Sequence, residues 1–246
     1  MKQNIEIVSL IYQSTKYLKY IVEQLSSEFC KVDGWDVGVR VVANDATDDV
    51  LKALEQIEIP HTIFNNVDKY EYYMNRVYRC YNYCVTTSTY DNVCLINSDN
   101  GFSRKWLDNL LKHHDGTNIP CSRLIESGKM GSGCHGIIQN FGKTCDEFKN
   151  RFDEWLIWAD NFKEDKAVSG GLYMPVIFEK QRFIESGIYP EGNIYSGGKV
   201  GSMIGNVTRT ADEFFFNEVL CRKFGMKHTT VFDSLVYHIQ TGEKDE

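Results

Sequence analysis

The chain has 246 residues, a net charge of −7 and a composition that is 42% hydrophobic and 25% charged, ordinary for a globular protein long enough to bury a core without disulfide staples. The acidic balance gives no electrostatic footprint for non-specific DNA or RNA binding, so nucleic acid is a disfavoured partner, though a basic groove on one face would be compatible with it. No stretch approaches the ~20 apolar residues of a membrane span, and cysteines scattered without framework spacing point to reduced thiols in the cytoplasm.

The opening segment, MKQNIEIVSLI, carries Glu6 inside a short apolar run and lacks a small-residue cleavage pattern, so it is expected to be a first strand (5–11) and not a signal peptide. Ser14 or Thr15 is placed to cap a helix in which Leu18, Ile21, Val22 and Leu25 recur at helical spacing. A strand at 37–43, a helix at 48–57, a strand at 61–65, a helix over the tyrosine-rich 70–86 and a strand at 92–97 follow. Trp106, Leu107, Leu110 and Leu111 mark the next helix. This alternation predicts a mainly parallel sheet with helices on its faces.

Past Asp115 the pattern weakens. Glycine-rich loops at 127–136 and 196–205 flank a helical pattern at 145–158, a strand-like 168–174 and a short helix at 178–185. A last helix, 212–224, stops at Gly225, and the closing TGEKDE is expected to fray. With neither an internal repeat nor a linker, the chain is expected to be one domain in two halves, 1–115 and 116–246.

In open α/β sheets ligands bind beyond the carboxyl ends of the strands. Tyr12 follows the first strand, Asn44, Asp45, Thr47, Asp48 and Asp49 follow the second, and Asn97, Ser98, Asp99 and Asn100 follow the fourth. Helix caps and turns use the same residue types, so the 44–49 group is explained either way. Asp99 is less readily explained as a cap, since Ser103 is better placed to cap the following helix. Cys80 and Cys84 with Cys134 and His135 match neither a zinc ribbon nor a finger.

Six segments, in order and spanning nearly the whole chain, resemble glycosyltransferase family 2 and its GT-A relatives. They are LIYQS, VVANDATDD, NRVYRCYNYCVTTSTYDNVCLINSDNGFSRKWLDNLL, VSGGLYMPVIFEKQRFIESGIYPEG, TRTADEFFFNEVLCRKFGMK and LVYHIQTGE. The resemblance implies a GT-A-like, Rossmann-related α/β fold: a mainly parallel central sheet flanked by helices, with a smaller acceptor-side region. It implies a metal-dependent, inverting transfer of a sugar from a nucleotide-sugar to a hydroxyl. Residues 1–115 would then form the nucleotide-sugar-binding half, and 116–246 the acceptor-binding and catalytic half.

The resemblance also carries residue roles. Asp99 matches the metal-binding aspartate, with Mn2+ or Mg2+ as the ion; hard cations favour carboxylate oxygen and retain waters. The family's D-X-D stands here as Asn97-Ser98-Asp99, so direct ligation falls on Asp99, with Asn97 and Ser98 on the nucleotide-sugar and Asn97 or Asn100 acting on the sugar or on metal-bound water. His238 matches a late histidine that serves as second ligand or phosphate contact; a strand-end histidine in a packed edge is the plainer alternative. Asp45, beside Asn44, matches the acid that accepts the uracil imide N–H, and Tyr12 the aromatic against the base, which favours a UDP-sugar. Arg76 stands where a basic residue meets the diphosphate, or is a solvated helix arginine. Asp212 matches the catalytic base, with Glu213 its competitor, although acids at a helix start are also explained by the dipole. Phe214–Phe216, Trp155 and Trp158 are expected to pack rather than to hold sugar, and the loop 196–205 is expected to act as a lid.

Two other enzyme classes compete. Against a nucleotidyltransferase, the sequence has no glycine-rich, basic phosphate loop after strand one; a glycoside hydrolase would use two carboxylates. A catalytically degenerate sugar-nucleotide-binding protein is the non-enzymatic alternative, raised by the missing first acid of the D-X-D. The acceptor is expected to be a glycan or glycoconjugate, ahead of a protein or a hydroxymethylated nucleic-acid base.

Overall fold

Apolar runs after Gln3 and Trp35 form the two strands from which the sheet grows. A computed structural model describes residues 3–68, 70–128, 131, 133–201, 206–240 and 242–244. β1 (Gln3–Ile11) pairs in parallel with β2 (Trp35–Asn44), from Gln3 opposite Trp35 to Ile11 opposite Ala43. Between them runs α1 (Thr15–Ser26); the Ser14 hydroxyl accepts the Tyr17 N–H at 3.0 Å, and Leu18, Ile21 and Leu25 face the core. α2 (Asp48–Leu54) leads to β3 (His61–Phe64), parallel to β2. α3 (Tyr73–Thr87) returns the chain to β4 (Asn92–Ile96), parallel to the other side of β1.

β5 (Asn100–Phe102) and α4 (Trp106–Lys112) follow. The expected Ser103 cap is not made. Lys105, left-handed at φ 60°, occupies the cap position, and the Trp106 N–H reaches the Ser103 carbonyl instead.

The second half holds β6 (Asn118–Glu126), β7 (Ile137–Ile138), α5 (Cys145–Asn150), α6 (Phe152–Phe162), β8 (Ala167–Ser169), β9 (Val176–Glu179), α7 (Lys180–Glu185), β10 (Ile194–Tyr195), β11 (Val207–Arg209), α8 (Ala211–Phe214) and β12 (Lys227–His238). The large sheet runs β3-β2-β1-β4-β9-β6-β12-β5, with β7 on β6 and β8 on β12. β9 is antiparallel to both β4 and β6 and joins the two halves into one sheet. β10 and β11 make a separate two-stranded ribbon.

Several boundaries differ from the sequence reading. β6, buried along its whole length, has no clear strand signature, because Pro120, Ser122 and Arg123 break the apolar run. Of the expected strand at 168–174 only the first two residues are strand, in β8; β9 begins later, at Val176, and the expected helix at 178–185 begins only at Lys180. The pattern at 145–158 is two helices separated at Arg151. The last helix is α-helical only through Phe214 and then π-helical over Phe215–Lys223. Parts of both glycine-rich loops, residues 129, 130, 132 and 202–205, lie outside the described residues, and with them part of the expected lid. TGEKDE is not wholly a frayed tail: Gly242–Lys244 form a 3-10 turn that docks on the turn after β1, while 241, 245 and 246 lie outside the described residues.

Candidate active site

A cavity of about 780 Å³ opens at the carboxyl ends of β1, β2 and β4. Its walls carry Tyr12, Asn44, Arg76, Asn97, Ser98, Asp99, Asp212 and His238, so residues from both halves of the chain meet there. Asp45 and Glu213 are not among the lining residues.

Sheet register builds one corner. β12 pairs with β6 and β5 so that His238 lies opposite Glu126 on one side and Asn100 on the other. Asp99 immediately precedes β5, and its carbonyl accepts the Ile239 N–H at 3.1 Å, which ties the aspartate to the end of β12. His238 Nε2 stands 3.3 Å from Asp99 Oδ2, and His238 Nδ1 stands 2.8 Å from Oε2 of the fully buried Glu126. Burial disfavours the imidazolium, but the carboxylates of Asp99 and Glu126 outweigh it and raise the His238 pKa to about 10.

The donor set suits a divalent ion. Two neighbouring ligands of an octahedral ion with bonds of about 2.1 Å stand about 3 Å apart, and the Asp99–His238 spacing is close to this. Among the described residues, no three His, Cys, Asp or Glu side chains gather as a metal set. An ion here would therefore take its other ligands from water or from phosphate oxygens of a bound nucleotide, as hard cations commonly do.

The Asn97–Asn100 turn is tightly fixed. Asn97 N–H donates to Asn100 Oδ1 at 3.0 Å, and the Tyr81 hydroxyl donates to Asn97 Oδ1 at 3.1 Å. The asparagine in place of an acid is thus held by a neighbouring phenol.

The opposite wall is aromatic and cationic. The Arg76 guanidinium lies 5.5 Å from the centroid of the Tyr12 ring, a cation–π distance. Arg76 is buried, not the solvated helix arginine of the alternative reading, and its Nη1 donates to Asp45 Oδ2 at 2.9 Å. Asp45 adopts a left-handed backbone, φ 51°, which aspartate tolerates better than most residues. Its carboxylate also accepts the Asn66 N–H at 2.7 Å and the Asn66 amide at 2.9 Å. Burial works against its charge, but these bonds and the guanidinium hold the Asp45 carboxyl below the usual range. Asp45 therefore sits behind Arg76 as its anchor. Asn44, one residue earlier, is the member of this turn that lines the cavity; Asn66, which also donates to Asn44 Oδ1 at 3.1 Å, went unrecognised in the sequence.

Asp212 enters from the far end of the chain. The Thr210 hydroxyl caps α8 and donates to Asp212 Oδ1, which also accepts the Glu213 N–H at 2.8 Å. Tyr78 and Tyr173 stand beside it; burial and then acidic neighbours (Asp212 for Tyr78, Glu213 and Asp212 for Tyr173) raise both phenol pKa values. Tyr173 shares its stretch of wall with Gly171, Leu172 and Met174, so the surface around Asp212 is largely apolar and aromatic. Phe215, Phe216 and Trp155 are fully buried, and Trp158 stacks on Trp155 at 5.9 Å. All four pack the core and are not aimed at the cavity.

The turn at Gly242–Lys244 supplies a group that no sequence motif marks. The Glu243 carboxylate accepts the N–H groups of Tyr12 at 3.1 Å, Gln13 at 2.7 Å and Ser14 at 3.0 Å, and the Ser98 hydroxyl at 3.0 Å. It thereby ties the turn after β1 to the turn after β4. Burial raises its pKa against these bonds.

The fold has counterparts among solved structures. No family model matches the chain, and no curated protein does so by sequence. Solved structures do match. The mannosyltransferase PcManGT from Pyrobaculum calidifontis, in complex with GDP-Man and Mn2+, superposes with a TM-score of 0.59 over 97% of this chain and 57% of its own, at 12% identity. Residues 1–349 of S. aureus TarS superpose with a TM-score of 0.54 over 96% of this chain and 60% of TarS, at 12% identity alone and 14% in complex with UDP. The chain thus spans 57–60% of the length of these structures. It has a GT-A-like glycosyltransferase fold, mixed α/β with a mostly parallel, curled central sheet, as the sequence motifs implied. Among the described residues no helix is long and apolar enough to cross a membrane.

Proposed function

We propose that the protein is a divalent-metal-dependent glycosyltransferase that moves a sugar from a nucleotide-sugar, a UDP-sugar by preference, to a hydroxyl acceptor with inversion. The observation that carries the reading is the meeting, in one cavity, of Asp99 with His238, of Arg76 over Tyr12, and of Asp212 on a separate wall. Mn2+ or Mg2+ held by Asp99 and His238 would stabilise the charge that develops on the departing diphosphate. PcManGT carries Mn2+ with GDP-Man and TarS carries UDP, which supports such a ligand pair for this fold.

The chain's own residues divide the remaining work. Tyr12 offers a face to the base, and Asn44 offers an amide to its edge. Arg76, held by Asp45, presents its charge beside them. Asp212 takes the proton of the acceptor hydroxyl as that oxygen attacks the anomeric carbon; Glu213, outside the cavity lining, is the lesser candidate. The apolar wall around Leu172 and Tyr173 excludes water that would hydrolyse the donor. In this reading residues 1–115 form the donor half and 116–246 the acceptor half, and the acceptor is a glycan or glycoconjugate. Eight unpaired cysteines fit a reducing, cytoplasmic setting.

Incubation with UDP-, GDP-, CMP- and dTDP-sugars, an oligosaccharide acceptor panel and Mn2+ tests the proposal. Release of nucleoside diphosphate and an extended acceptor are expected. Release of pyrophosphate would identify a nucleotidyltransferase, and tight UDP binding without turnover would identify a degenerate binding protein, the role that the fixed Asn97 favours.

A further inference from the structure

We propose that Glu126 is a positioning residue: its buried carboxylate fixes the His238 imidazole so that Nε2 faces Asp99 and a divalent cation can bind between them. The inference rests on the metal-dependent reading above and adds a residue that the resemblance does not supply.

Glu126 is the last residue of β6 and is 0% exposed. A carboxylate in such a place costs considerable free energy unless it is paired. Its place is set by register: Glu126 and His238 are direct neighbours across the parallel β6–β12 pair, and both strands end there. The Oε2–Nδ1 distance of 2.8 Å is that of a charge-assisted hydrogen bond. Nδ1 can therefore carry a proton toward Glu126, which leaves Nε2 as the ring nitrogen that faces Asp99, 3.3 Å away, and that a cation would take. A ligand histidine commonly donates its other ring N–H to a carboxylate, which fixes the tautomer and raises the basicity of the metal-binding nitrogen.

The row continues beyond the pair. Asn100 lies opposite His238 on β5. Its carbonyl accepts the Tyr20 hydroxyl at 3.0 Å, and its side chain holds the turn that presents Asp99. Glu126, His238 and Asn100 therefore stand side by side across three adjacent strands, so strand register sets His238 beside the turn that presents Asp99. A purely structural His–Glu pair would need no second carboxylate at Nε2 on the cavity side.

Mn2+ binding in the presence of UDP, followed by the electron paramagnetic resonance signal of free Mn2+, tests the assignment without reference to turnover. The wild-type protein is expected to bind Mn2+, and Asp99→Ala to lose binding. Glu126→Gln, which keeps a hydrogen-bond acceptor but no charge, and Glu126→Ala, which keeps neither, should weaken Mn2+ binding by about 10-fold and about 100-fold. In a His238→Ala background, Glu126→Gln should have no further effect, because its action runs through the imidazole. Circular dichroism on each variant restricts the comparison to folded protein. Wild-type-like Mn2+ affinity in folded Glu126→Gln and Glu126→Ala would overturn the positioning role while leaving the metal site intact. An equal loss with and without His238 would also overturn it. Absence of Mn2+ binding by the wild type would instead remove the metal-dependent reading, and the role of Glu126 with it.

Discussion

Asp212 and Asp45 are both acids at the head of a helix or turn, yet one lines the cavity and the other is enclosed behind Arg76. Asp212 is held by local donors from Thr210 and Glu213 and lines the cavity. Asp212→Asn should therefore retain UDP affinity, measured by calorimetry, while turnover falls roughly 10²–10⁴-fold. Undiminished turnover would move the base elsewhere. Asp45 is enclosed by Asn66 and Arg76, and Asp45→Asn leaves a buried guanidinium without its counter-charge. A loss of about 3 kcal/mol at pH 7 is expected in urea denaturation. Its folded-state pKa is depressed, so the wild-type advantage is complete above the unfolded value near 3.9 and is lost as pH falls through the lower folded value. The stability difference between wild type and Asp45→Asn should accordingly close in acid.

Elements were legible in the sequence to different degrees, and for identifiable reasons. β1, β2 and β4 announce themselves by β-rich apolar runs, and α1 by its periodicity and its Ser14 cap. The residues that follow those strands could be placed at the ligand-binding edge from the sequence alone. β6 was missed because buried polar residues, Ser122 bonded to Ser234 at 2.8 Å and Arg123 bonded to Glu164 at 3.1 Å, interrupt its apolar run. With β6 went Glu126, although an acid at a strand's carboxyl end is the kind of signal that marked Asp45 and Asp99. Glu243 was hidden for another reason: its partners lie more than 200 positions away, at Tyr12, Gln13 and Ser14, and no local pattern encodes such a contact. The 3-10 turn at Gly242–Lys244 depends on that docking, since three residues of helix have no stability of their own. Glu243→Ala should raise amide hydrogen exchange at Gln13 and Ser14 while α4, remote from the contact, exchanges as before. Unchanged exchange at both amides would show that the tail does not hold this turn.

At the scale of the whole molecule, the sheet brings together residues separated by most of the chain. β9, antiparallel to β4 and β6, joins the halves. β12 carries His238 to within 3.3 Å of Asp99, whose partner strand β5 lies at the sheet's far end. Asp99 and Asp212, the proposed ion ligand and the proposed base, face one cavity of about 780 Å³, a volume within the usual range for small-molecule sites. The most direct measurement is a thermal-shift titration of the wild-type protein and Asp99→Ala with UDP-sugars, with and without Mn2+. At about 100 times Kd a ligand stabilises the native state by about 2.7 kcal/mol, which for a chain of this size is a rise of roughly 5–10 °C in Tm. The proposed donor site predicts such a rise for the wild type with both UDP-sugar and Mn2+ present, and its loss in Asp99→Ala. No shift with any UDP-sugar, or an equal shift in Asp99→Ala, would contradict it.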